Sequence, residues 1–239
     1  MGKLRLACVT CTGGRPELFA LCKRWVMRQT RQPDLWLVCS DVPGETEYAG
    51  LPPYAKWLRV PRRPEWYTGP GYLDPAWALT WALEQVPPEH AAVIMEDDDL
   101  YFPHHCETLM QHVERGSLIS YGDEVWKFNL PLQRWSYRDG QDPTEGCVGI
   151  HPTAIRRYNE AMRVVPRWDP KDGIYSGYTK IDIKGVGYGL PGRAGATNQH
   201  VPTHKKARIM RPDPGNQRFR KFAGPDADAY LSLIQKVPV

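Results

Sequence analysis

Four acidic residues stand in a row, Glu96-Asp97-Asp98-Asp99, directly after the apolar run Ala91-Ala92-Val93-Ile94-Met95. Carboxylates crowded this closely repel one another unless a cation neutralises them. A site built only from oxygen ligands favours a hard ion such as Mg²⁺ or Mn²⁺. Such an ion can bridge a diphosphate and stabilise the charge that develops as it leaves. The plainer alternative is a solvated acidic turn that caps the following helix, which accounts poorly for Glu96, set hard against apolar Met95.

The elements around this cluster follow from apolar spacing. Leu4 to Thr10 reads as a buried strand that Gly13-Gly14 breaks. Pro16 then opens a helix where its missing N–H costs nothing. Leu18, Leu21, Cys22, Trp25 and Val26 recur on one face of that helix. Leu35 to Cys39 is a second strand ending at Ser40-Asp41, and strand, helix, strand at this spacing predicts a βαβ unit in a parallel sheet. Residues 43–75 read mostly as loop with a short strand near Trp57–Val60. Helices are predicted from Asp74 to about Val86 and from Pro103 to about Arg115, with a buried strand over Ala91–Met95 between them. Shorter strands follow at Ser117–Tyr121, Val125–Asn129, Cys147–Ile150 and Ile181–Ile183. A short helix starts at Pro152 and one terminal helix spans Pro225–Gln235. The fold class is α/β, a mixed but mainly parallel sheet with helices on both faces. A chain of 239 residues suffices for one such domain.

Bulk properties exclude some classes and suggest others. No apolar run approaches the roughly 20 residues needed to span a bilayer, and the first dozen residues lack a signal-peptide pattern. Cys8, Cys11, Cys22, Cys39, Cys106 and Cys147 lie scattered in apolar patterns, which suits buried thiols in a reducing cytoplasm. Cys8-x-x-Cys11 has no second pair to complete a zinc site. Nine Trp is high; some fill a core, and others suit a cleft that stacks on sugars or bases. The net charge is +4, yet His151 to Lys221 holds fifteen Lys/Arg against five Asp/Glu, a local excess of ten. That split suggests a polyanionic partner for the C-terminal part, or a solvated basic surface, or a hold on a nucleotide diphosphate alone.

Over roughly residues 4–185 the chain resembles the GT-A-fold glycosyltransferases, especially the family-2-like group. Ala7-Cys8-Val9-Thr10-Cys11-Thr12 with Arg15-Pro16 resembles the nucleotide-binding opening of that family, Val38-Cys39-Ser40-Asp41 its second strand, and Val93 to Asp99 its DxD segment. The resemblance implies that Thr10, Thr12, Arg15, Asp41 and Asp97 bind the donor, a UDP-sugar, with Asp41 on the base. It implies that Asp98 holds Mn²⁺ or Mg²⁺ with Glu96 and Asp99, and with His200 or His204 as a late ligand. Glu96 departs from the family's first acidic residue. In Arg167-Trp168-Asp169-Pro170-Lys171-Asp172-Gly173, Asp172, or else Asp169, matches the carboxylate that deprotonates an acceptor hydroxyl. The Gly-rich run ending at Arg193 matches a loop that closes over the diphosphate, with Arg193 on phosphate.

The implied organisation is a nucleotide-sugar-binding and catalytic domain over 1–185 and a basic Gly/Pro-rich segment over 186–239 packed on it. The charge excess fits a nucleic-acid acceptor, such as a hydroxymethylated base in phage-type DNA in a host cytoplasm. Lys205, Lys206, Arg208 and Arg220 would then lie against phosphates, and Trp66 or Tyr67 would stack on an extruded base. A cell-surface glycan or small-molecule acceptor is the alternative. A nucleotidyltransferase would need a fuller phosphate loop than Thr12-Gly13-Gly14-Arg15, a metal-dependent nuclease or phosphatase a second acidic cluster, and a non-catalytic nucleic-acid-binding module leaves this cluster unused.

Overall fold

The computed structural model describes residues 3–62, 64, 74–121, 124–129, 133–139, 148–164, 187–189 and 211–234. The chain runs through β1 (Arg5–Thr12), α1 (Pro16–Met27), β2 (Leu35–Ser40), β3 (Ala55–Arg59), α2 (Asp74–Glu84), β4 (His90–Ile94) and β5 (Asp99–Tyr101). It continues through α3 (His105–Glu114), β6 (Ile119–Tyr121), β7 (Glu124–Asn129), β8 (Arg134–Asp139), β9 (Val148–Ile150) and α4 (Ile155–Val164). Last come β10 (Gly187–Gly189), β11 (Arg211–Pro212), α5 (Gln217–Ala223) and α6 (Ala227–Ile234).

One sheet has the order β3-β2-β1-β4-β9-β6. Its first four strands are parallel, and β9 turns antiparallel to both β4 and β6. Period-two alternation divides the buried side chains between two cores. Leu6 and Cys8 of β1, Trp36 and Val38 of β2, and Ala91 and Val93 of β4 face α1 and α3. Ala7 and Val9, Leu35, Leu37 and Cys39, and Ala92 and Ile94 face α2 and α4 instead. These strands are covered on both faces, and so they read as continuous apolar runs. Cys8, Cys22, Cys39 and Cys106 are buried and outside any disulfide, and burial pushes the Cys39 and Cys106 thiols up to about 12.

A second sheet, β11-β8-β7-β10-β5, departs from the linear reading. Asp99 is not in a loop before a helix: it opens β5, which leaves the first sheet and joins the second, so α3 starts only at His105. Strand β8, which the linear reading did not mark, pairs along all of β7. The C-terminal region forms two helices rather than one, interrupted at Gly224-Pro225. Phe219, Ala223, Ala227 and Tyr230 join the α1 core. The indole N–H of Trp25 donates to the Tyr230 hydroxyl at 2.9 Å, and Arg24 and Arg28 both donate to Asp226, at 2.7 and 2.6 Å. The strand expected at Ile181–Ile183 lies outside the described residues.

His105, at the start of α3, is fully buried against the Tyr101 ring, with centroids 4.8 Å apart. Neither of its ring nitrogens has a partner among the described residues. Burial, helped by the neighbouring His104 charge, lowers its pKa from the ordinary 6.5 to about 3. The unfolded chain therefore takes up this proton first as pH falls. Stability is held above pH 6.5 and lost from there down to about 3. His105→Phe keeps the ring and removes the proton site, so its urea midpoint falls less than the wild type's between pH 7.5 and 4.5.

Candidate active site

In the adjacent strands β2, β1 and β4, β1 and β2 end level with each other and β4 ends opposite Val9. Thr12 pairs with Ser40 across β1 and β2, and the Met95 N–H after β4 donates to the Val9 carbonyl at 2.9 Å. In open α/β sheets, ligands bind beyond such carboxyl ends. Here β1 runs into Gly13-Gly14. A Cβ on Gly13 would stand 2.4 Å from Asp41 Oδ1 and 2.9 Å from Val42 Cγ2. Gly14 has φ +64°, the left-handed region that side chains rarely adopt. The two glycines thus let the turn lie directly on Asp41, at the end of β2.

Glu45 holds this arrangement from the far side. Its carboxylate accepts from the Gly14 N–H at 3.0 Å and from the hydroxyls of Ser40 and Tyr48. The Tyr48 ring packs on Phe19 and Trp57, with centroids 5.0 and 4.8 Å away. Glu45 and Tyr48 escaped the sequence reading. They lie in the Pro/Gly-rich stretch, where no periodicity marks them.

The acidic run divides its work. Asp97, with a side chain only 1% exposed, accepts from Arg15 Nη2 at 2.6 Å and from the Thr12 hydroxyl at 2.8 Å. A buried carboxylate needs a partner of this kind to remain charged. Carboxylate oxygens of Glu96, Asp98 and Asp99 lie within 4.8 Å of one another, and the Asp98 side chain keeps 12% exposure. Three oxygen donors at this spacing suit a hard divalent cation. Arg15 reaches the cluster too, since its Nη1 donates to Asp98 Oδ2 at 3.3 Å. The Glu96 N–H donates to the Tyr101 hydroxyl at 2.6 Å, which pins the backbone of the first carboxylate. Gly189 of β10 pairs with Asp99 across the second sheet, so the residue opposite that carboxylate has no side chain.

The predicted residues do not all meet. Thr12, Arg15, Glu96, Asp97, Asp98 and Asp99 form one connected group. Asp41 stands on the same turn, and the Cys11 thiol, pushed up chiefly by burial, is raised further by the charges of Asp41, Asp97 and Glu96. Thr10 sits apart: it is fully buried and its hydroxyl accepts from the Trp36 indole at 2.9 Å. Arg220 pairs on the surface with Asp228 at 2.5 Å. Asp169, Asp172, Arg193, His200, His204, Trp66, Tyr67, Lys205, Lys206 and Arg208 lie outside the described residues.

A solved structure shares this architecture. S. aureus TarS aligns with a TM-score of 0.52 at 11% identity over 78% of this chain and 37% of its own length. The fold is GT-A-like. At that identity the likeness concerns the fold alone, and the chain spans little more than a third of TarS. The 4-diphosphocytidyl-2C-methyl-D-erythritol synthase of Anaerococcus prevotii aligns at a TM-score of 0.45 and 6% identity, over 85% of this chain and 92% of its own. No protein-family model matches the sequence, and no curated protein is similar to it in sequence. Among the described residues no helix is long and apolar enough to cross a membrane.

The division of the carboxylates has a measurable consequence in metal-free protein. Asp97→Asn breaks a buried ion pair and lowers unfolding stability by about 3 kcal/mol. Asp98→Asn removes like-charge repulsion and a long 3.3 Å contact, so stability stays within about 1 kcal/mol of wild type or rises. Urea unfolding of both variants in chelator checks the contrast.

Proposed function

We propose that this chain is a metal-dependent glycosyltransferase that moves a sugar from a nucleotide diphosphate sugar, a UDP-sugar, to a hydroxyl acceptor. The observation that carries this reading is the three-carboxylate cluster at the strand ends of a GT-A-like sheet, beside an aspartate set on a Gly-Gly turn. Glu96, Asp98 and Asp99 would hold Mn²⁺ or Mg²⁺, and the ion supplies charge neutralisation for the departing diphosphate. Asp41 accepts from the nucleotide base, and the turn at Gly13-Gly14 lets the nucleotide approach the backbone. Asp97, itself held by the Thr12 hydroxyl, keeps Arg15 in place. Asp172, or else Asp169, removes the acceptor hydroxyl's proton as its oxygen attacks the anomeric carbon. Arg193 and His200 complete the phosphate and metal contacts.

Variants separate these roles. Asp98→Asn keeps shape and deletes a charge, so transfer falls to background. EDTA reproduces that loss in the wild type and Mn²⁺ reverses it. Asp41→Ala raises the donor KM with little change in kcat, because the base is unchanged through the reaction. Asp172→Asn lowers kcat with donor binding intact. Donor hydrolysis and transfer assays over a panel of nucleotide sugars read all three. Full activity of Asp98→Asn in chelator would overturn the assignment.

For the acceptor we propose a hydroxymethylated base in DNA, supported by the excess of ten positive charges between His151 and Lys221. Part of that charge is engaged within the protein. The Arg218 and Arg211 guanidinium carbons lie 3.9 and 5.2 Å from the Trp135 ring centre, and Arg220 pairs with Asp228. Phosphate contact therefore rests mainly on Lys205, Lys206 and Arg208, with Trp66 or Tyr67 stacking on the base. Neutralising the three basic residues weakens binding across DNA sequences and flattens its salt dependence, leaving donor hydrolysis unchanged. Duplexes with and without hydroxymethylated bases, assayed at two salt concentrations, test this acceptor. Transfer to a free sugar or glycan but to neither duplex refutes it.

A further inference from the structure

Arg15 is bound unequally at its two ends. Nη2 holds the buried Asp97 at 2.6 Å, whereas Nη1 holds the more accessible Asp98 at 3.3 Å. Its Nε–H is buried and has no partner among the described residues. Asp98 is also one of the three carboxylates whose oxygens cluster within 4.8 Å. One guanidinium arm therefore occupies an oxygen that a divalent cation would use, and its charge sits where that cation would repel it.

We infer that Arg15 is a coupling residue that pivots on Asp97. Without a cation, it offsets the negative charge of the cluster through Asp98. When a cation takes Asp98, the weak arm is displaced while the strong one holds. The freed Nη1–H is then available to a phosphate oxygen, while Nη2 stays on Asp97. Cation and diphosphate bind cooperatively as a result, because each favours the same Arg15 position and such coupling is reciprocal. This inference rests on the metal-dependent reading above and adds a direction to it: Arg15 opposes the cation alone and favours the nucleotide once the cation is present.

Two variants test the pivot. Arg15→Gln removes the charge. Arg15→Lys keeps a charge for Asp97 and gives up the second arm, which guards against loss of fold from an unpaired Asp97. Mn²⁺ alone is titrated into nucleotide-free protein by calorimetry, with thermal melting as the folding control. Each folded variant binds Mn²⁺ about threefold to tenfold more tightly than wild type, the lysine variant less so. UDP binding at saturating Mn²⁺ moves the other way and weakens roughly tenfold, the loss of one charge-assisted contact. A merely structural Arg15 would weaken both ligands together, and that result, or unchanged Mn²⁺ affinity in a folded variant, overturns the inference. Wild-type protein that binds no Mn²⁺ overturns the metal-dependent reading and the inference with it. Loss of Mn²⁺ in Asp98→Asn with no change in Arg15→Lys overturns the inference alone.

Discussion

A carboxylate 1% exposed to solvent keeps its charge only where the protein replaces the lost water, and Asp97 is in that position. Arg15 and Thr12 provide the replacement, one from the start of α1 and the other from the end of β1. This interaction ties together the first strand, the first helix and the acidic turn after β4. It sets where the Gly13-Gly14 turn lies, and it leaves the oxygens of Glu96, Asp98 and Asp99 to converge within 4.8 Å. Because removal of either partner strands a buried charge, the site has little freedom to loosen without cost to the fold.

Helix α1 must be held firmly for Arg15 to do this. Its other end is locked by the C-terminal helices. Arg24 and Arg28 converge on Asp226, itself 1% exposed, and Trp25 bonds to Tyr230. Residues more than 190 positions away in sequence thus help to aim the side chain that enters the acidic cluster.

The cluster occurs where the backbone changes sheets. β4 belongs to the six-stranded sheet and β5 to the five-stranded one, and Glu96 to Asp99 make the passage between them. Two parallel sheet strands and a helix bury their polar groups easily; a junction does not, and its carboxylates are free to converge. Tyr101, fully buried, closes the passage by accepting the Glu96 N–H. At the end of β2, Glu45 performs the matching task. It binds a backbone N–H and two hydroxyls at once, and it connects the glycine turn to the aromatic group of Phe19, Tyr48 and Trp57.

Much of this was present in the linear sequence. Apolar runs at Leu6–Val9, Leu35–Cys39 and Ala91–Ile94 required buried parallel strands. The 3.6-residue spacing from Leu18 to Val26 required a helix, and four consecutive acids after a buried strand required a counter-charge. These are local properties of period and composition, so they can be read without coordinates. Which acid serves which purpose is different. Asp97 and Asp98 are adjacent and chemically identical, and only the positions of Arg15 and Thr12 across the sheet send one inward and the other out. Thr10 shows the same limit: the resemblance of its strand implied donor binding, yet Trp36 on the next strand bonds its hydroxyl in the core. Glu45, Tyr101 and the pairing of Gly189 with Asp99 had no periodic signal at all. Each depends on contacts between segments distant in sequence, and such contacts exist only once the chain has folded.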